Sequence, residues 1–94
     1  MKDGEHIEYY ESGEIRYKYN YLGGKLNGEN IYYYESGKIY SKCFYIDGDL
    51  NCEYISYFKD GELWSKRYFI NNIHVTKLEW ISYNRNIKLE LLGL

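Results

Sequence analysis

GENIYYYESGKIYSKCFYIDGDLN, residues 28–51, is the unit from which the chain is built. Twenty-four residues earlier the pattern reads GEHIEYYESGEIRYKYNYLGGKLN, over residues 4–27. Twenty-four residues later it returns more loosely as CEYISYFKDGELWSKRYFINNIHV, over residues 52–75. Residues 76–94 read as a partial fourth copy or C-terminal cap. A fixed period of this kind marks a repeat architecture, in which each copy is one supersecondary unit that leans on its neighbours. Residues 1–94 are therefore expected to form a single repeat domain.

Turn chemistry sets the elements. Gly13, Gly37 and Gly61 share one phase, in the tetrapeptides Glu11-Ser12-Gly13-Glu14, Glu35-Ser36-Gly37-Lys38 and Lys59-Asp60-Gly61-Glu62. Ser-Gly and Asp-Gly between aromatic or branched runs read as hairpin turns, because glycine takes the left-handed conformation at little cost. A second turn phase holds Gly23-Gly24, Asp47-Gly48 and Asn71-Asn72, asparagine being the next best left-handed residue. Strands are expected at about 5–10, 14–22, 29–34, 38–46, 53–58, 62–70, 76–83 and 87–92. The last is also compatible with a helical turn or an apolar cap, since leucine and glutamate favour helix. Short connections make consecutive strands antiparallel neighbours. The expected fold is all-β: a single elongated, twisted antiparallel meander sheet of about three and a half 24-residue double-hairpin repeats.

A two-residue turn at Ser12-Gly13 would set Tyr10 opposite Ile15, Tyr9 opposite Arg16 and Ile7 opposite Lys18. Alternation then collects Tyr10, Ile15, Tyr17, Tyr19 and Tyr21 on one face. Tyr32, Tyr34, Ile39, Cys43 and Tyr45 follow, then Tyr54, Phe58, Leu63 and Phe69. This is the more apolar face and the expected core. The second, more charged face takes Ile7, Tyr9, Arg16, Lys18, Leu22, Ile31, Tyr33, Tyr40, Lys42, Phe44, Ile55, Tyr57, Trp64, Lys66 and Tyr68. A bulge at any turn would exchange faces locally.

Composition narrows the function. Fourteen tyrosines and no proline suit a half-buried pleated surface of regular hairpins. A net charge of -2 gives no basic excess for a phosphate backbone, so direct nucleic-acid binding is not expected. The opening Met1-Lys2-Asp3-Gly4 is not a signal peptide, and no apolar run is long enough for a membrane span. The expected setting is the cytoplasm, with Cys43 and Cys52 as reduced, partly buried thiols.

Little in the chain points to chemistry at a centre. His6 and His74 are far apart, and with two cysteines at unrelated phases they do not supply the three or four convergent ligands a metal needs. Asp47-Gly48-Asp49 lacks the rest of a calcium loop. Ser12 and Ser36 are turn residues, Ser41, Ser56 and Ser65 are strand residues, and none sits in a nucleophile-elbow context. No catalytic residue, metal site or cofactor is expected, and the chain is read as a non-enzyme.

Tyr9 to Gly13, Lys25-Leu26-Asn27-Gly28-Glu29 and Tyr33 to Gly37, at this spacing, resemble the variant MORN repeats of bacteria. The resemblance covers residues 2–83. It implies an extended antiparallel sheet of consecutive hairpins, and its members are frequently labelled antitoxin components. Cys52 and Thr76 depart from it at the phase of Gly28, and His74 at that of Leu26 and Leu50.

The expected function is protein binding by a small neutraliser: an antitoxin, an immunity protein or a phage-borne inhibitor of a defence nuclease. A sheet this small cannot bury all its aromatics, and exposed Tyr and Trp beside Arg are typical of interfaces. Trp64 is the leading candidate contact, with Tyr40, Tyr33, Tyr57, Tyr68 and Arg67 as its companions. Two other readings stay open. One is a peripheral lipid-binding module using Lys18, Lys42 and Lys66; the other is self-assembly through the sheet edges into a homodimer or a filament.

Overall fold

The computed structural model of the chain describes residues 2–91 and residue 93. Its strands are β1 (Gly4–Tyr9), β2 (Ile15–Leu22), β3 (Lys25–Leu26), β4 (Gly28–Tyr33), β5 (Ile39–Ile46), β6 (Asp49–Leu50), β7 (Cys52–Tyr57), β8 (Leu63–Ile70) and β9 (Ile73–Val75), followed by helix α1 (Lys77–Leu91). They form one sheet in the order β1-β2-β4-β5-β7-β8-β9, with β3 on β2 and β6 on β5. Neighbours are antiparallel throughout. The antiparallel meander expected from the turns is what forms.

The first turn phase is longer than a two-residue loop. The Tyr10 N–H donates to the Glu14 carbonyl at 2.8 Å, and the Gly13 N–H to the Tyr10 carbonyl at 3.0 Å. Gly13 has φ +93°. The result is a three-residue loop, a turn followed by a left-handed glycine. The same bonds recur from Tyr34 and Gly37, and from Phe58 and Gly61. A loop one residue longer would turn every side chain of the hairpin to the wrong face. Each hairpin cancels the slip with a bulge. The register passes from Glu8↔Tyr17 to Tyr9↔Ile15, leaving Arg16 over. Tyr40 and Trp64 are left over in the same way.

Two consequences correct the expected faces. Beyond the bulge Ile7 faces Lys18, as a two-residue turn would give. Near the turn Tyr9, not Tyr10, faces Ile15, and likewise Tyr33 faces Ile39 and Tyr57 faces Leu63. Ile15, Ile39 and Leu63 therefore leave the expected core face for the face of Ile7, Ile31 and Ile55.

At the opposite end of the sheet the turns are two-residue loops with both residues left-handed. Their φ values are +61° and +79° at Gly23-Gly24, +50° and +84° at Asp47-Gly48, and +48° and +69° at Asn71-Asn72. Each turn is pinned by a side chain 20 residues upstream of it. Asp3, Asn27 and Asn51 accept, through Oδ1, the N–H groups of Gly23 (2.8 Å), Asp47 (3.1 Å) and Asn71 (3.0 Å). The Gly48 and Asn72 amides add bonds to the Leu26 and Leu50 carbonyls at 2.8 and 3.0 Å.

The C-terminus departs from expectation. The strand expected at 76–83 is replaced by α1, and at 87–92 the helical alternative is the one that forms, as far as Leu91; residue 92 lies outside the described residues. Thr76 starts the helix. Its Oγ1 accepts the Glu79 N–H at 3.1 Å, and Glu79 Oε1 accepts the Thr76 N–H at 3.1 Å. This reciprocal capping box satisfies two otherwise free amides. The hairpin glycine is meanwhile replaced by Arg85, so the competing turn has lost its left-handed residue. Trp80 packs on Tyr68 with ring centroids 6.2 Å apart, laying α1 over one face at β8.

Only Tyr19, Asn30, Ser41, Cys52 and Ser56 are buried among the described residues, and the register places all five on one face. The other face carries the row Ile7–Lys18–Ile31–Lys42–Ile55–Lys66, each residue directly opposite the next.

Replacing Asn27 or Asn51 by alanine removes a side-chain acceptor from a turn amide. Each variant should lose about 1 kcal/mol, read as a fall in thermal midpoint of roughly 4–8 °C. An unchanged midpoint would show that water replaces the pin without loss.

Candidate functional site

The buried face is a surface of rings. Tyr32 stacks on Tyr17 at 3.9 Å with an interplanar angle of 8°, Tyr17 on Tyr19 at 4.4 Å, and Tyr19 on His6 at 5.4 Å. His6 and Tyr19, and Tyr17 and Tyr32, face one another across adjacent strands, whereas Tyr17 and Tyr19 are alternate residues on one face of β2. Asn30 Nδ2 donates to the Tyr17 hydroxyl at 2.9 Å. Burial pushes the Tyr17 phenol well above its ordinary value, with the Tyr32 hydroxyl adding to the effect. Tyr45 is raised in the same direction, again chiefly by burial. Cys43 and Cys52 adjoin on this face as free thiols. A hydrogen bond to Cys52, together with burial, holds the Cys43 thiol protonated.

One row of this face changes character along the sheet. It reads Glu8, Tyr17, Tyr32, Ser41, Ser56, Ser65, each opposite the next. Glu8 and two tyrosines make up the first half, and three serines leave a low floor in the second. The bulge residues lean over the row from the turn end. Arg16 Nη2 reaches Glu8 Oε1 at 2.8 Å, Tyr40 meets Tyr34 edge-on at 5.1 Å, and Trp64 lies 5.9 Å from Phe58. Trp64, Arg67, Ser56 and Ser65 line one shallow notch, and Tyr10, Arg16, Tyr32, Tyr33 and Tyr40 another. Tyr32, Tyr40, Phe58 and Trp64 remain 42, 39, 48 and 57% exposed. They form an open aromatic band flanked by Arg16 and Arg67. Arg67 rests over the Tyr54 ring at 5.1 Å.

The six expected contact residues are divided between faces. Trp64, Tyr40 and Arg67 share the ring face. Trp64 and Tyr40 thus move off the charged face assigned to them, because they are the extra residues of their bulges. Tyr33 and Tyr57 lie on the opposite face, opposed to Ile39 and Leu63, and Tyr68 on that face is covered by Trp80. Tyr32 and Phe58, expected in the core, join the exposed band. The signal for them was available: serines at the phases of Tyr17 and Tyr32 cannot cover the neighbouring rings.

A further open groove of about 630 Å³ lies between α1 and the second face, lined by Glu53, Tyr68, Lys77, Trp80, Ile81, Asn84 and Arg85. Among the described residues no three His, Cys, Asp or Glu side chains converge as a metal site, and no helix is long and apolar enough to cross a membrane. The band offers rings, a guanidinium and hydroxyls, groups suited to holding a surface.

The raised tyrosines fix a pH dependence. The folded state prefers the protonated phenol, so its stabilisation is complete below the ordinary tyrosine value of about 10. It is lost as pH climbs above that value. Urea midpoints should fall above about pH 10, and tyrosinate absorbance should rise in step with unfolding. Ionisation of every tyrosine before unfolding would contradict the packing of Tyr17.

The family described as MORN repeat variant matches residues 2–22, 26–47 and 51–71. No curated protein and no solved structure matches the chain.

Proposed function

We propose that this chain, which belongs to the MORN repeat variant family, is a protein-binding module that neutralises a partner by covering its working surface. MORN repeats are non-catalytic and occur in protein-binding or membrane-associated modules. The observation that carries the reading is the band Tyr32–Tyr40–Phe58–Trp64 beside Arg67, apolar yet uncovered. Large rings next to an arginine are the residues that dominate binding energy at interfaces. The partner is a protein such as a toxin, an effector or a defence nuclease, bound without cofactor or metal. Trp64 and Tyr40 act as anchors, Arg67 as the polar contact, and the serine floor admits a side chain of the partner. Tyr33, Tyr57 and Tyr68 support the sheet from behind. The lipid reading has less support, because Lys66 is already engaged by Glu53 at 3.5 Å.

The test is affinity capture from the host, followed by calorimetry with the recovered protein. Trp64→Ala should weaken binding at least tenfold while changing stability by less than about 1 kcal/mol. Phe44→Ala, a ring 44% exposed on the opposite face, should leave binding unchanged. The reverse pattern would place the interface on the other face. Capture of anionic vesicles with no protein partner would replace the reading by the lipid one.

A further inference from the structure

The two edges of the sheet are complementary to each other. Inside the chain each repeat passes to the next through one short pairing. Tyr17 and Lys18 of β2 face Tyr32 and Ile31 of β4, and Ser41 and Lys42 of β5 face Ser56 and Ile55 of β7. The equivalent residues of β8 are Ser65 and Lys66. Their neighbour would be the first strand of a fourth repeat, but that stretch of chain has become α1. Strand β9 pairs only with Tyr68, Phe69 and Ile70. α1 folds back over the face at Tyr68 instead of running along the edge. Among the described residues, Leu63 to Arg67 therefore has no strand on its outer side.

Exposure records the vacancy. Ser65 is half-buried whereas Ser41 is 2% exposed, and Leu63 is 53% exposed where Ile15 and Ile39 are half-buried. Backbone direction agrees. The carbonyls of Asn20 and Phe44 accept the Asn27 and Asn51 amides, on the side of the following strand. Alternate residues of a strand point the same way, so the N–H and C=O of Lys66 face outward. At the other edge Ile7 and Glu8 hold the phases of Ile31 and Tyr32. By the same alternation the N–H and C=O of Ile7 face outward from β1.

We propose that β1 of a second copy of this chain docks on the β8 edge, with Ile7 opposite Lys66 and Glu8 opposite Ser65, continuing the repeat from one molecule into the next. Val75 and Thr76 occupy the phases of Asp3 and Gly4, so the docked segment is Glu5 to Tyr9. It extends both rows already present. Ile7 follows Lys66 in the isoleucine–lysine row, and Glu8 follows Ser65 in the row of tyrosines and serines. It also sets Glu5 and Glu8 beside Lys66 and Arg67, which gives the contact charge complementarity. The contact is weaker than an internal one. Tyr10 and Tyr34 each donate a hydroxyl proton to a carbonyl of the following repeat, at Tyr33 and Tyr57, and Phe58 at that phase has no hydroxyl. The assembly is consequently reversible, and because the two edges differ it is head-to-tail.

Light scattering over a wide range of concentrations should show a mass that climbs beyond the dimer. Lys66→Pro and Ile7→Pro each delete one outward amide and leave the internal ladder intact, since proline is tolerated on an edge. Each variant alone should be monomeric, and an equal mixture of the two should form a dimer and nothing larger. Circular dichroism verifies that each is folded. Independently of the prolines, mixed Glu8→Cys and Ser65→Cys chains should oxidise to a disulfide joining positions 8 and 65. A wild-type chain monomeric at all concentrations overturns the proposal. So does self-association that survives both prolines, or cross-linking of Ser65→Cys chains to one another in preference to Glu8→Cys chains.

Discussion

A sheet with no second layer must be held together sideways. Most of this sheet has no layer packed against it; α1 reaches only the end at β8. No side chain among the described residues is fully buried in the way a core residue of a two-layer domain is. The stabilising contacts are instead those between residues directly opposite one another on adjacent strands. Everything therefore depends on register. A slip of one residue would break the ring stack of His6, Tyr19, Tyr17 and Tyr32, and the isoleucine–lysine row, at the same time. The bulges at Arg16, Tyr40 and Trp64 protect that register against the three-residue loops beside them.

The same bulges create the candidate interface. Each hairpin has one more residue than its pairing can use, and the surplus side chain stands over the ring face. In the first copy the surplus residue is an arginine held by Glu8, in the second a tyrosine, in the third a tryptophan. A device that corrects geometry thus supplies three positions free to vary without cost to the ladder. Variation at these positions, set against the constancy of Ile7, Ile31 and Ile55, is how a repeat scaffold acquires a particular surface.

Much of the fold was legible. The period, both turn phases and the meander follow from glycine and asparagine positions in the chain. Two features were missed for local reasons. The expected two-residue loop is one residue shorter than the real one, and the compensating bulge masks the difference: far from the turn both give the pairing Ile7↔Lys18. The faces near the turn came out exchanged, and with them the placement of Trp64 and Tyr40. The helix is hidden by the repeat, whose phase still runs faintly through residues 76–94. Thr76-Lys77-Leu78-Glu79 is a capping box in its own right, and a local signal outweighed a fading period. The candidate site was less legible than the fold, because which ring is covered depends on the size of residues one strand away. Serines at positions 41, 56 and 65 decide the exposure of Tyr32 and Trp64.

The pins at Asp3, Asn27 and Asn51 have a direction. In every case the accepting side chain precedes the amide it receives. A chain made from its N-terminus thus presents each acceptor before the turn that needs it has been synthesised. These three turns close on an acceptor that is already synthesised, whereas the Leu50 amide waits for Asn72 Oδ1, 22 residues further on: successive repeats are tied together from both directions along the chain.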